Sequence, residues 1–253
     1  MIDPLLLWIL GGTAVGGSLS LLAAALLSFT LLSKWAAPMV SYAVGVLLGA
    51  AFLHLLPEAF SQAENIEALF AVALAGLLGF FLLEKAALWR HHHHNVADMH
   101  HHGRRSGLLI VVGDGFHNFV DGILIAAAFL TDVKLGVATT LAIVAHEIPQ
   151  EIGDFMVLLH AGYKRRTALL LNLASSLTSV AGGVLGYFTF DNAQEAMPYA
   201  LVIAAASFIY IAVSDLIPDM HRRNDSRSSA TQIIFISAGI ATILLSDQLL
   251  HSH

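Results

Sequence analysis

Long apolar stretches are the feature that most restricts what this chain can fold into. Runs of roughly 20 or more apolar residues recur along its length, and each is long enough to cross a hydrocarbon layer of about 30 Å as a helix. Polar residues, proline and glycine divide the chain into eight such runs: 5–32, 38–60, 68–88, 107–130, 135–161, 167–189, 198–220 and 230–250. We therefore expect an all-α, polytopic membrane protein with eight transmembrane helices, which we call spans one to eight.

Composition supports this expectation and excludes other classes of protein. Of the 253 residues, 57% are hydrophobic and only 12% are charged, whereas soluble domains carry about a quarter charged residues. The net charge of −6 offers no basic surface for nucleic acid, and the absence of cysteine excludes disulfides and thiolate metal sites. We expect residues 1–253 to form a single transmembrane transport domain, with a histidine-rich cytoplasmic loop at 89–106.

The distribution of lysine and arginine predicts an orientation. Eleven of the 12 basic residues lie in the loops after odd-numbered spans or, like Lys85, in the last turn before such a loop, and Lys134 alone lies on the opposite side. The positive-inside rule then places both termini on the non-cytoplasmic side of the membrane. The chain start lacks the basic flank and cleavage site of a signal peptide, so we interpret it as a retained span. Together with the compact length, this favours a bacterial inner membrane as the location.

Ionisable residues concentrate in spans four and five, where burial of a charge in lipid is costly unless it is paired or solvated. On span four, His117 and Asp121 are four residues apart and share a helix face, and Asn118 lies three residues before Asp121. On span five, His146 and Gln150 share a face in the same way. Two such helices side by side would form a chelate near the middle of the bilayer, where transporters commonly bind their substrates.

The ligand chemistry predicts the kind of ion. Imidazole nitrogen combined with carboxylate and amide oxygen, without sulfur, suits Zn²⁺, Fe²⁺, Mn²⁺, Co²⁺ or Cd²⁺ rather than Cu⁺. An oxygen cage for Ca²⁺ or Mg²⁺ would not use two histidines. Because these ligands bind metal in their deprotonated forms, affinity should fall as the pH drops.

Two motifs resemble the fourth- and fifth-helix signatures of the ZIP (Zrt/Irt-like) metal transporters: His-Asn-Phe-Val-Asp-Gly at 117–122 and His-Glu-Ile-Pro-Gln-Glu-Ile-Gly-Asp-Phe at 146–155. The motif His-Leu-Leu-Pro-Glu at 54–58 and the histidine-rich loop extend the resemblance over essentially the whole chain. It implies movement of divalent cations, preferably zinc, into the cytoplasm. Zn²⁺ would be the transported substrate rather than a cofactor, the protein would be no enzyme, and it would usually be a homodimer.

The resemblance also implies a binuclear site between spans four and five. His117, Asp121, His146 and Gln150 match the positions of one metal site, while Asn118 and Glu147 match the second, which Gln150 would bridge. Related members commonly place His or Glu where Gln150 stands, and Glu151 is the candidate that compensates. The predicted metal ligands are therefore His117, Asn118, Asp121, His146, Glu147, Gln150 and Glu151.

An internal repeat indicates where the ion enters and leaves. In both span two and span seven, a polar residue, two aliphatic residues, proline and an acid follow one another, with His54 and Glu58 in the first copy and Asp215 and Asp219 in the second. The two spans run in opposite directions, as expected of an inverted repeat that relates spans 1–3 to spans 6–8 around spans 4–5. We predict that the first pair receives the ion outside and that the second pair discharges it inside.

The loop between spans three and four carries half of the chain's 14 histidines. We interpret it as a tract that binds metal on the cytoplasmic side without a fixed geometry and without being required for transport. Its candidate metal-binding residues are His91, His92, His93, His94, His100, His101 and His102.

Two other classes of protein are alternatives to a metal transporter. His146 and Glu147 resemble the start of the zinc-protease pattern, which makes an intramembrane zinc metalloprotease the main alternative, but Gln150 stands where that pattern needs a second histidine. A proton-coupled carrier of an organic solute is less favoured, because no lysine or arginine inside a span could hold a carboxylate. The sequence favours passage of a metal over both.

Overall fold

The computed structural model describes the backbone of residues 3–26, 29–63, 65–92, 103–190, 194–221 and 226–251, which form helices and short turns without any strand. A short 3₁₀ turn spans Gln194–Ala196. The α-helices, numbered in chain order, are α1 (Pro4–Leu26), α2 (Phe29–Ala50), α3 (Leu56–Ser61), α4 (Ile66–His92), α5 (Gly103–Thr131), α6 (Val133–His160), α7 (Arg165–Phe190), α8 (Met197–Ile211), α9 (Ile217–His221) and α10 (Ser226–His251). The expected all-α architecture is confirmed for this part of the chain.

Two π-helical turns join pairs of these helices into continuous units. Ala51–Leu55 connects α2 to α3, and Ala212–Leu216 connects α8 to α9. Each π turn ends two residues before a proline, Pro57 or Pro218. Proline has no N–H to continue the regular hydrogen-bond ladder, so a locally widened turn ahead of it is an expected response. With these joints counted as continuous, the described helices form eight long units that correspond to the eight predicted spans.

Some boundaries differ from those that the sequence predicts. The second helix begins at Phe29 instead of residue 38, because Pro38 lies inside α2 and does not start it. The predicted loop at 89–106 is also shorter, since α4 continues to His92 and α5 begins at Gly103. Apolar surroundings favour backbone that satisfies its own hydrogen bonds, which extends helices beyond the point where polar residues first occur in the sequence.

The outer surface of the bundle is apolar. Along α4, Phe70, Leu74, Leu78 and Leu82 repeat every fourth residue and are 54–62% exposed, so they form an outward-facing stripe. By length and composition, three described stretches can each cross a membrane: Pro38–Ser61, Arg165–Phe190 and Met197–Ser214. An apolar exterior of this extent suits contact with lipid rather than with water.

Polar residues lie inside the bundle, where α5 packs against both α6 and α7. The approach of α5 to α7 is very close at two glycines. A Cβ atom at Gly122 would lie 1.9 Å from the carbonyl oxygen of Ser179, and one at Gly182 would lie 1.9 Å from that of Phe119. Only residues without a side chain allow such contact between two helix backbones. This packing fixes the position of α5, which carries three of the seven candidate ligands.

Local hydrogen bonds close both ends of α6, the helix that carries the other four candidate ligands. Asp132 caps the first turn, since its Oδ1 accepts from the backbone N–H groups of Lys134 at 2.8 Å and Leu135 at 3.3 Å. After the last turn, Gly162 adopts a φ of +84°, and the N–H of Tyr163 returns to the carbonyl of Leu158 at 3.1 Å. The helix also continues through Pro149 without a break. These caps define the length of α6 and thereby the depth of its polar residues.

Candidate metal site

Four side chains from α5 and α6 converge on one point, and we call them the four-ligand cluster: His117, Asp121, His146 and Glu147. Helical spacing places His117 above Asp121 on α5, and the two helices pack with this face against His146 and Glu147. One ligand atom of each residue lies within 4.8 Å of all the others. Three of the residues are at most 1% exposed, whereas the side chain of His117 is 23% exposed and forms the open side of the cluster.

The distances inside the four-ligand cluster are those of ligands around a small cation. The Nε2 atoms of His117 and His146 lie 3.2 Å apart, and Asp121 Oδ2 lies 3.2 Å from His146 Nε2 and 3.6 Å from His117 Nε2. Glu147 Oε1 lies 3.6 Å from His117 Nε2 and 3.7 Å from His146 Nε2. Ligands held at about 2.0–2.1 Å in a tetrahedral zinc site are about 3.3 Å apart. The side chains are thus already spaced for one ion of that size.

A backbone carbonyl orients the more buried histidine. His146 Nδ1 lies 3.1 Å from the carbonyl oxygen of Ala142, one turn earlier on α6. A carbonyl oxygen can only accept, so Nδ1 is the protonated nitrogen and Nε2 presents its lone pair to the cluster. Such a partner behind a histidine is a common feature of metal sites, because it fixes both the tautomer and the ring orientation. No pattern in the sequence indicates this contact.

The carboxylates in the cluster have no hydrogen-bond donors. Among the described residues, no N–H or O–H group donates to either oxygen of Asp121 or of Glu147, although both residues are buried. Two buried carboxylates this close together, with no donor to either, would be strongly unfavourable without a positive charge between them. The cluster therefore provides two nitrogen and two oxygen donors for a divalent cation, a set that suits zinc and similar metals.

Three further predicted ligands lie beside the cluster and have other partners. The side-chain amides of Asn118 and Gln150 both donate to Asp114 Oδ1, at 3.2 Å and 3.0 Å. Glu151 is fully buried, and its carboxylate accepts from the hydroxyl of Ser176 on α7. Sequence reasoning did not single out Asp114 as a functional residue, although its position three residues before His117 was a usable signal.

The predicted entrance and exit residues lie outside the four-ligand cluster. His54 is part of the first π turn, and Glu58 lies in α3, where its Oε1 accepts from Gln62 Nε2 at 2.6 Å. Asp215 lies in the second π turn and Asp219 in α9, but their side chains are outside the described residues. The same is true of the side chains of the seven predicted metal-binding loop histidines, His91–His94 and His100–His102.

Comparison with known proteins connects this geometry to a family. The family model of the ZIP zinc transporters matches residues 90–247 of this chain. This range includes α5, α6 and the whole four-ligand cluster. Zinc transporter ZIP13 of Pongo abelii is 33% identical over 221 residues, which cover 82% of this chain and 65% of that protein. Zinc transporter ZIP4 of Homo sapiens is 44% identical over 119 residues, 47% of this chain and 18% of that protein.

A third relative, zinc transporter foi of Drosophila melanogaster, is 36% identical over 138 residues, 54% of this chain and 19% of its own length. The chain thus spans just under two thirds of the ZIP13 protein and less than a fifth of the other two. The match extends over most of the chain and agrees with the apolar helices of an integral membrane protein. This chain belongs to the ZIP zinc transporter family.

Proposed function

We propose that this protein transports zinc and similar divalent transition-metal ions across a membrane into the cytoplasm, with the ion bound between α5 and α6. The single observation that carries the proposal is the four-ligand cluster, in which two histidines and two donor-free carboxylates converge inside an apolar bundle. The names of the relatives, all zinc transporters, support the same activity. In this proposal the ion is the transported substrate.

We propose a route that uses the two proline motifs. The ion enters past His54 and Glu58, binds the four-ligand cluster, and leaves past Asp215 and Asp219 toward the histidine-rich loop. The support is that both motifs contain a π-helical turn at the same position relative to proline, as two copies of an inverted repeat would. The basic loops support an orientation with both termini outside the cytoplasm. A homodimer in a bacterial inner membrane remains a prediction from the sequence.

Proteolysis is the competing activity, since a histidine followed by glutamate is also a zinc-protease feature. A catalytic zinc needs an open position for water and a carboxylate base that does not bind the metal. In this chain, Glu147 Oε1 lies 3.6 Å from His117 Nε2 and 3.7 Å from His146 Nε2. Asp121 Oδ2 lies at the same distance, 3.6 Å, from His117 Nε2. This equal spacing favours a role for Glu147 as a metal ligand rather than as a base. The family match also favours a transporter.

Ion flux into proteoliposomes tests the proposal. Purified protein should carry Zn²⁺, and the His117→Ala and His146→Ala variants should lose most of this flux while they still insert into the membrane. His221→Ala is the matched control, because His221 is exposed on α9 and outside the cluster. Flux of Fe²⁺, Mn²⁺ and Cd²⁺ under the same conditions gives the selectivity. Cleavage of a membrane substrate by protein that carries no ion would contradict transport and favour the protease.

A further inference from the structure

A buried carboxylate lies next to the four-ligand cluster but interacts differently with its surroundings. Asp114 lies one helical turn before His117 on α5 and is 6% exposed. Its Oδ1 accepts two hydrogen bonds, from Gln150 Nε2 on α6 at 3.0 Å and from Asn118 Nδ2 at 3.2 Å. Oδ2 has no partner among the described residues. Asp114 therefore accepts from two neutral amides, one on its own helix (Asn118) and one across the helix interface (Gln150).

The orientation of these amides follows from their surroundings. Asn118 Nδ2 lies 3.2 Å from the backbone carbonyl oxygen of Asp114 as well as 3.2 Å from Oδ1. Both neighbours can only accept, so the nitrogen of Asn118 must face them. Gln150 likewise faces a carboxylate, which accepts only from its NH₂ group. The amide oxygens of both residues consequently point away from Asp114, and the two side chains present donors where a metal ligand would present acceptors.

A buried carboxylate needs a compensating positive charge or hydrogen-bond donors, and the two options compete for the same space. We propose that Asp114, Asn118 and Gln150 form a carboxylate–amide latch that occupies the position of a second cation, so that the protein holds one ion between α5 and α6. Residue 150 then determines the number of bound ions, and Asn118 and Gln150 act as positioning residues for Asp114. The proposal rests on the proposed function, because it presumes that the four-ligand cluster holds the first ion.

The latch predicts that the protein binds an additional metal ion when the hydrogen-bond donor Gln150 is replaced by a residue that can bind metal. In Gln150→Glu, a second carboxylate replaces the amide about 3 Å from Asp114, and two buried acids at that distance recruit a cation. The variant should bind one ion more per protomer than the wild type. Adding Asp114→Asn to Gln150→Glu removes one of the two acids and should return the count to the wild-type value. Gln150→His, which adds a neutral ligand, should also gain an ion.

The test counts zinc in the purified full chain by elemental analysis and locates it by anomalous X-ray scattering at the zinc edge. The loop histidines are present in every variant, so their contribution cancels in the differences. We expect one anomalous peak between α5 and α6 in the wild type and two in Gln150→Glu. Two peaks in the wild type, or no gain in either single variant at residue 150, would overturn the latch. Loss of one ion in His146→Ala verifies the four-ligand cluster separately, so that failure of the proposed function is distinguishable from failure of the latch.

Discussion

Two polar regions lie one helical turn apart on α5, and their chemistry differs. In the four-ligand cluster, the carboxylates of Asp121 and Glu147 have no donors and face two imidazole nitrogens. In the latch, the carboxylate of Asp114 accepts from two amides. Both regions are buried and acidic, so polarity alone does not identify the ion site. The two regions differ in whether hydrogen-bond donors reach the carboxylate oxygens.

Free energy explains why this difference matters inside a membrane. An unsatisfied buried polar group costs a few kcal/mol, and an isolated charge costs more. The latch meets part of this cost with two hydrogen bonds to Asp114 Oδ1, which are parts of the fold itself. The four-ligand cluster has no such donors, and a bound cation, which can also leave, would meet the cost there. A transporter needs the second arrangement at its binding site and the first in the surrounding structure.

Neutralising one acid in each region is the strongest test of this contrast. Asp121→Asn removes a ligand and should lower zinc affinity by at least about 10–100-fold, the range for loss of a residue that only supports a ligand. Asp114→Asn should lower it far less, because its partners are amides and not the ion. Competition with a fluorescent chelator measures both affinities. Equal losses in the two variants would show that the regions form one metal site.

The close packing of α5 against α7 holds both regions in place, and two glycines on α5 test how much this packing stabilises the bundle. Gly122→Ala would press a methyl group against the carbonyl of Ser179 and should destabilise the bundle by about 1–3 kcal/mol, the usual cost of overpacking. Gly113→Ala is the matched control, because nothing lies within 4 Å of its added Cβ. Thermal unfolding in detergent compares the variants. Similar unfolding temperatures for both would mean that the close α5–α7 contact at Gly122 does not limit the stability of the bundle.

The loop histidines extend the comparison to residues without a fixed geometry. Replacing His91–His94 and His100–His102 with serine should lower the total zinc bound by the protein but leave flux unchanged, because the proposed transport site is the four-ligand cluster and not the loop. Elemental analysis and proteoliposome uptake measure the two effects. Lost flux in protein that still inserts normally would assign the loop an essential role.

The smallest expected effect concerns the pKa of the exposed carboxylate of Asp3. Asp3 accepts from the hydroxyl of Tyr187 at 2.7 Å and from the N–H of Leu5 at 2.8 Å, and these bonds hold the pKa of Asp3 below its ordinary value of 3.8. Because the charged form is favoured in the fold, this contribution is present above pH 3.8 and is lost as the pH falls through the lowered pKa.

Tyr187→Phe should therefore raise the pKa of Asp3 toward its ordinary value and leave zinc binding intact, since water can replace the donor at an exposed site. A pH titration of the Asp3 carboxyl carbon by NMR measures the shift. An unchanged pKa would contradict the assigned cause, and altered zinc binding would contradict the separation of Asp3 from the metal site.

Relations within one helix were predictable from the sequence, and relations between helices were not. Spacing of four residues placed His117 and Asp121 on one face, and the structure agrees. The contact of Gln150 with Asp114 joins residues 36 positions apart, and its register depends on how α5 packs against α6 and α7. No periodicity in the sequence contains that information, so Gln150 was predicted as a metal ligand from its spacing to His146 and from the family resemblance.

The two π-helical turns were likewise not predictable from the sequence. Apolar length predicted the helical units, but the assumption of 3.6 residues per turn could not predict the π turns at Ala51–Leu55 and Ala212–Leu216. The prolines that follow were visible in the sequence, but they were interpreted as part of an internal repeat and not as the cause of a widened turn. Pro38 was misleading in the opposite direction, since α2 continues through it.

X-ray absorption at the zinc edge tests the central claim most directly. The sample is protein whose seven loop histidines are replaced by serine, loaded with one equivalent of Zn²⁺, so that the signal reports the bundle alone. The account predicts a first shell of two imidazole nitrogens at about 2.0–2.1 Å and carboxylate oxygens at a similar distance, with the imidazole signal lost in the His117→Ala, His146→Ala double variant. A first shell without imidazole nitrogen in the parent protein would contradict it.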